Sequence, residues 1–192
     1  MSWVLAVVGV VAVAATGCSS SQAGQAEASA PSAAATSSSA ALSLPPRPAA
    51  LSTAGVDSCT LLPEAERAAL EIDRPPNVGG PDGVVGGSLC GFSVAAWGIY
   101  GVDATADYTA AQWLQHTNPA DNTISSVGGY PAVVTYKPID PRSCFVVVDT
   151  SDTGLLYVPI RDRRATATDR DDLCGRALKA AGIALATLRA KQ

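Results

Sequence analysis

At 192 residues the chain has room for one domain of ordinary size. Its formal net charge of -4, from 13 Lys and Arg against 17 Asp and Glu, leaves no basic excess to neutralise a phosphate backbone, so nucleic acid is set aside as a partner. The 47% apolar content is inflated by Ala, and the long uninterrupted apolar run lies at the start.

That run, Trp3 to Ala15, has the length of a signal-peptide core and falls short of the ~20 residues a spanning helix needs. It ends in Ala15-Thr16-Gly17-Cys18, small residues directly before a cysteine, an arrangement that resembles the bacterial lipobox, with Ala15 where Leu is more usual. The expectation is that residues 1–17 are removed and that Cys18 becomes the N-terminus, its sulfur carrying diacylglycerol. The chain would then sit on the extracytoplasmic face of the cell membrane. Residues 18–56 read as a lipid-anchored, disordered linker. Ala, Ser, Pro, Thr and Gln dominate, Glu27 and Arg47 are the charges, and such a composition cannot bury enough apolar surface to offset ordering. A flexible coil of about 38 residues reaches ~35 Å, enough to clear the lipid headgroups.

Residues 57–192 carry the pattern of a folded domain. From Thr60 to Ile72 the apolar residues Leu61, Leu62, Ala65, Ala68, Ala69 and Ile72 recur every three or four positions, which predicts a helix, with Pro63 in its first turn and Pro75-Pro76 beyond its end. Gly79 to Gly87 is a glycine-rich loop. Cys90–Ala96 and Ile99–Ala106, divided by Trp97-Gly98, read as a hairpin. Asp107–Thr117 returns to helical spacing and is closed by Asn118-Pro119. The β-branched runs Thr123–Val127, Ala132–Tyr136, Cys144–Val148 and Leu155–Ile160 are predicted as a meander. Thr168-Asp169-Arg170-Asp171 reads as a capping box ahead of an amphipathic helix carrying Leu173, Ala177, Leu178, Ala181, Leu185 and Leu188. This order implies an α+β fold: an antiparallel sheet of about six strands with N-terminal, middle and C-terminal helices packed on it.

With Cys18 set apart, Cys59, Cys90, Cys144 and Cys174 are an even number in an exported chain, the setting in which disulfides persist. Three pairings are open. The expectation is nearest-neighbour closure, Cys59 with Cys90 and Cys144 with Cys174, which ties each terminal helix to the strands beside it. Each bridge would close a loop of about 30 residues, worth ~3.5 kcal/mol in the chain-entropy model. A metal site is not expected, because there is no Cys-x-x-Cys pair and His116 is the sole histidine.

Asp57-Ser58-Cys59-Thr60-Leu61-Leu62-Pro63-Glu64, Cys90-Gly91-Phe92, Val127-Gly128-Gly129-Tyr130-Pro131-Ala132, Cys144 and Asp172-Leu173-Cys174 before an Ala/Leu-rich helix together resemble the actinobacterial DUF3558-type lipoproteins, a family of unknown function. The resemblance spans Asp57 to Leu188. It implies a lipid-anchored envelope protein and, by its element order, a sandwich like that of Mog1 and PsbP. Leu62 stands where that family has a hydroxyl residue, and Phe92 where it commonly has Trp. The resemblance brings no catalytic residues and no cofactor.

Other candidate residues each have a plainer structural role. Any Ser-His-Asp or Cys-His mechanism must use His116 as base, yet it falls near the end of a short helix, where an imidazole commonly faces the carbonyl end or solvent. Asp169, Asp171 and Asp172 suit the first turn of the last helix better than acid/base or metal chemistry. The Gly79–Gly87 stretch lacks the Gly-Lys-Ser/Thr of a phosphate loop and precedes a strand. Arg161-Asp162-Arg163-Arg164 is either a contact for anionic headgroups or, more in keeping with its place after a strand, a solvated turn. Trp97, Ile99 and Tyr100 suit a partner-binding edge and core packing equally. The function expected is a monomeric, non-enzymatic binding or accessory module of the cell envelope that contacts an envelope protein or an apolar ligand. Its alternatives are a carrier of lipid or another apolar molecule and, further off, an envelope hydrolase using His116.

Overall fold

A computed structural model describes residues 42–79, 89–106, 108–116, 120–164, 166 and 169–192. The signal segment, Cys18, the linker up to residue 41 and most of the glycine-rich stretch lie outside the described residues. The described residues fall in a single compact unit, Ala40–Gln192.

Order begins before Asp57, where the composition placed the end of the linker. Arg47 Nη1 donates to Asp149 Oδ2 at 2.8 Å and its Nη2 to Asp152. The Leu51 amide donates to the Thr150 carbonyl at 2.8 Å, and Thr53 Oγ1 to the Thr105 carbonyl at 2.8 Å. Leu51 and Thr53 are both buried. Average composition does not register this, because a few well-placed side chains hold an extended segment whose mean apolar content is low. Gly154 is the complementary requirement: a Cβ there would lie 2.2 Å from Thr53 Oγ1.

The first predicted helix is instead three short pieces: a 3-10 turn at Ser58–Thr60, a single α-turn α1 at Glu64–Arg67, and a second 3-10 turn at Ala68–Leu70. Asp57 starts the first by accepting from the Cys59 amide at 2.9 Å. Leu62 precedes Pro63, whose ring disfavours helical backbone at the preceding residue, and Pro63 itself is extended at the N-cap. The segment ends at Glu71, which adopts a left-handed φ of 61° and closes the last turn with its N–H on the Ala68 carbonyl. Leu61, Leu62, Leu70 and Ile72 are buried, whereas Ala65, Ala68 and Ala69 of the predicted apolar stripe face solvent.

Seven strands form one antiparallel sheet: β1 Asn77–Val78, β2 Cys90–Val94, β3 Gly98–Ala106, β4 Asp121–Val127, β5 Tyr130–Tyr136, β6 Ser143–Asp149 and β7 Gly154–Asp162. Their spatial order is β1-β2-β3-β7-β6-β5-β4. The predicted hairpin is β2–β3, with Phe92 opposite Tyr100, and the predicted meander is β4 to β7. The β3–β7 pairing joins the two halves. It runs from Gly98↔Asp162 to Tyr100↔Ile160 and resumes at Asp103↔Tyr157, the break falling beside Pro159, which has no N–H to give to the ladder. β1 is the strand beyond the expected six. Two residues flanked by prolines and glycines carry no alternation to read.

Strand alternation divides the core between the two sheet faces. Phe92, Tyr100, Val102, Val146, Val148, Leu156, Val158 and Ile160 face the C-terminal helix α3, Arg170–Arg189, and pack with its Leu173, Ala177, Ala181, Leu185 and Leu188. Val133, Val147, Leu155 and Tyr157 face the other way, against Ala110 and Trp113 of α2, Ala110–His116. Thr109 and Gln112 form a reciprocal cap at the start of α2, each side chain bonded to the other's amide at 2.8 and 3.2 Å. Asp169 caps α3 through the amides of Asp171 and Asp172, and those two carboxylates are exposed in its first turn.

Disulfides join Cys59 to Cys90 and Cys144 to Cys174, with Cα atoms 5.1 and 5.3 Å apart. The first ties the N-terminal 3-10 turn to β2, and the second ties β6 to α3. The fold is α+β: a seven-stranded antiparallel sheet with three helices.

Candidate functional site

Among the described residues, most of the sequence motifs lie apart, and only Trp97, Arg163 and Arg164 share a concavity. His116 is exposed, and its Nδ1 donates to the Gln112 carbonyl one turn back at 2.7 Å. Arg161 turns to Asp140 at 3.2 Å, away from the two arginines that follow it. Trp97, Ile99 and Tyr100 are buried in the core, and Trp97 in addition presents a face to that concavity. Gly79 is described; the remainder of its glycine-rich stretch lies outside the described residues. The four cysteines are consumed as disulfides.

What the fold does build is an open cleft of about 540 Å³ at the end of the sheet where β2 turns into β3 and β7 runs out. Its lining includes Arg74, Asn77, Ser93, Trp97, Arg163 and Arg164. Local geometry explains each wall. Gly98 lets β3 approach β7 closely, since a Cβ there would lie 2.1 Å from the Arg161 carbonyl oxygen. The chain leaving β7 is then held to the hairpin turn by the Arg163 amide donating to the Trp97 carbonyl at 2.7 Å. Gly91 does the same for β1, because a Cβ would meet Asn77 Oδ1 at 2.8 Å.

The arginines differ in electrostatic state. Asp162, fully buried, accepts from Arg164 at Nε (3.1 and 3.2 Å), at Nη2 (2.8 Å) and at the backbone amide (2.8 Å). This fork fixes the Arg164 guanidinium while leaving its side chain 49% exposed, and the Asp162 bond raises its pKa. Arg74 and Arg163 are exposed and form no ion pair or side-chain hydrogen bond among the described residues. Asp73, the neighbour of Arg74 in the chain, turns both carboxylate oxygens onto the Ala95 amide at 3.0 and 3.3 Å.

Trp97 forms a braced wall. Its Nε1 donates to Glu71 at 3.0 Å, its ring meets Tyr100 edge-on at 5.2 Å, and the Arg176 guanidinium lies 5.0 Å over it. Arg176 also donates to Glu71 at 2.6 Å and to Asp172 at 3.2 Å. Arg176 and then Trp97 hold the Glu71 carboxyl below its ordinary pKa, while burial pushes the Tyr100 phenol up to about 12. Sequence reasoning passed over Arg74 and Asn77. They stand 89 and 86 positions before Arg163 in the chain, and no local signal reports such convergence.

A second concavity lies between α2 and the sheet, lined by Asp103, Thr105, Tyr108, Trp113, Leu155 and Tyr157. At about 10 Å³ it is no larger than a single water requires. Thr105 donates to the buried Asp103 at 2.5 Å, and burial followed by the Asp103 charge raises the Tyr157 pKa.

The family model for DUF3558, described as a protein of unknown function, matches residues 13–187. The chain belongs to this family. The DUF3558 match takes in Cys18, both disulfides and every wall of the cleft. No curated protein and no solved structure matches the chain. Membership in DUF3558 therefore assigns no activity.

Proposed function

We propose that this chain is a lipid-anchored, extracytoplasmic module of the cell envelope, monomeric and non-enzymatic, that binds its ligand or partner in the cleft between the β2–β3 turn and the end of β7. The observation that carries the reading is a preformed concavity with a rigid aromatic wall, one arginine fixed by a buried carboxylate, and two arginines that form no ion pair among the described residues. Two disulfides support an oxidising compartment outside the cytoplasm. The lipobox-like run before Cys18 supports the membrane anchor. At the level of architecture, a sheet with a long helix on one face and a short one on the other is compatible with a Mog1/PsbP-type sandwich.

The pocket under α2 gives no support to an apolar carrier, and His116, bonded back to its own helix, gives none to a hydrolase. The test has two arms. Radiolabelled palmitate enters the parent chain and not Cys18→Ser, and a photo-crosslinker at Ala96 in the cleft captures envelope material that one at Ala186 on α3 does not. Absence of label in the parent, or equal capture at both positions, removes the corresponding half of the reading. Replacing His116 with Ala leaves the cellular phenotype of the parent unchanged.

A further inference from the structure

The charge left open in the cleft names the chemistry of its ligand. Arg47, Arg161, Arg164, Arg170 and Arg176 each pair with a carboxylate. Arg74 and Arg163 pair with none among the described residues, although they come from distant parts of the chain and line the same cleft. Asp162 compensates Arg164, and Asp73 keeps its charge but turns onto the Ala95 amide, so Arg74 and Arg163 are the cleft's two cations without an ion pair among the described residues. Guanidinium forks match the spacing of phosphate and carboxylate oxygens, and a phosphate ester, at about -1 as a diester and about -1.5 to -2 as a monoester at neutral pH, supplies the anionic charge that faces them. The cleft, at about 540 Å³, is much larger than an inorganic ion and falls among small-molecule sites, with Pro75, Val94 and Trp97 beside the charges.

We propose that the cleft binds a phosphate ester, with Arg74 and Arg163 gripping the phosphate, Arg164 held ready by Asp162, and Asn77 and Ser93 facing the esterified group. This rests on the cleft being the binding surface. Two sources share the chemistry, a phosphorylated soluble or wall-borne molecule and a lipid headgroup.

The test is isothermal titration of the full chain in non-ionic detergent with glycerol 1-phosphate, dihexanoyl phosphatidylglycerol and inorganic phosphate at constant ionic strength. Dihexanoylglycerol and acetate serve as phosphate-free controls. Saturable binding is expected, weakened about tenfold or more in Arg74→Ala and in Arg163→Ala, partly restored by Lys at either position, and unchanged in Arg189→Ala. Tighter binding of glycerol 1-phosphate identifies a free ester and tighter binding of dihexanoyl phosphatidylglycerol a headgroup; both support the proposal. Both arginines are exposed, so circular dichroism should show the variants folded. No saturable binding of any phosphate probe, or affinity unchanged in the double variant, overturns it. If the Ala96 crosslinker captures material free of phosphate, the ligand class falls while the cleft stands as the contact surface. If phosphate binds in titration and Ala96 captures nothing in the envelope, the ligand class stands and the cellular reading falls.

Discussion

Replacing Gly98 with Ala probes the junction on which both the sheet and the cleft depend. The added Cβ would lie 2.1 Å from the Arg161 carbonyl oxygen, 3.1 Å from the Arg161 carbonyl carbon and 3.2 Å from the Asp162 Cα. All three are backbone atoms of a central strand, so no side chain can swing aside. Relief requires β3 and β7 to part by about an ångström at Gly98↔Asp162, which also stretches the Arg163 N–H to Trp97 carbonyl bond of 2.7 Å. Overpacking costs about 1–3 kcal/mol and the weakened backbone bond about 1 kcal/mol, which together come to roughly 2–4 kcal/mol. For a domain of this size that is a fall of about 10 °C in Tm. Urea unfolding followed by tryptophan fluorescence, with both disulfides intact, measures it. Gly182→Ala in α3 is the control. Its Cβ would meet nothing within 4 Å, and a helical Gly→Ala change gains about 0.5–1 kcal/mol. A Gly98→Ala protein within 1 kcal/mol of the parent would refute the close β3–β7 contact and the cleft geometry built on it.

Truncating the chain to begin at Asp57 removes buried Leu51 and Thr53, and the loss expected is about 2–3 kcal/mol, whereas beginning at residue 42 leaves stability unchanged; equal stability of the two would return the boundary to Asp57. Replacing Cys144 and Cys174 together with Ala reopens a loop of 30 residues and lowers stability by about 3 kcal/mol, measurable as a drop in the urea midpoint. Glu71, whose pKa is lowered by Arg176 and Trp97, contributes stability that is complete above its unfolded value of 4.5 and is lost as pH falls through the lower folded value. The stability gap between the parent and Glu71→Gln is therefore expected to close on acidification from pH 6 to pH 3, and a gap independent of pH would deny the pairing. Leu62→Ala, at a fully buried side chain between the first 3-10 turn and Pro63, is expected to cost about 2–5 kcal/mol by thermal unfolding.

Reading the sequence worked where a pattern is local. The β2–β3 hairpin, the four-strand meander and α3 each repeat a period over their own length, and the capping run at residues 168–171 marks the start of α3, with Asp169 as the N-cap one residue later than a capping box places it. It failed at the first helix, where an apolar spacing of three to four was real but Pro63 broke the backbone that would have carried it. Composition also misjudged residues 42–56, since averaging hides two or three contacts made with distant strands. Of the motifs weighed, the basic cluster gave Arg163 and Arg164 to the cleft while its Arg161 turned to Asp140, and Trp97 became a wall of the same cleft.

By itself the chain of residues determined its class, because alternation, helical period, turn residues and an even set of cysteines all act within a few neighbours or follow from compartment chemistry. Tertiary structure decided the β3–β7 pairing and, with it, the meeting of Arg74, Asn77 and Arg163 around Trp97. That pairing depends on which buried faces fit and on Gly98 permitting close approach, a matter of shape between segments some 60 residues apart that no local period encodes.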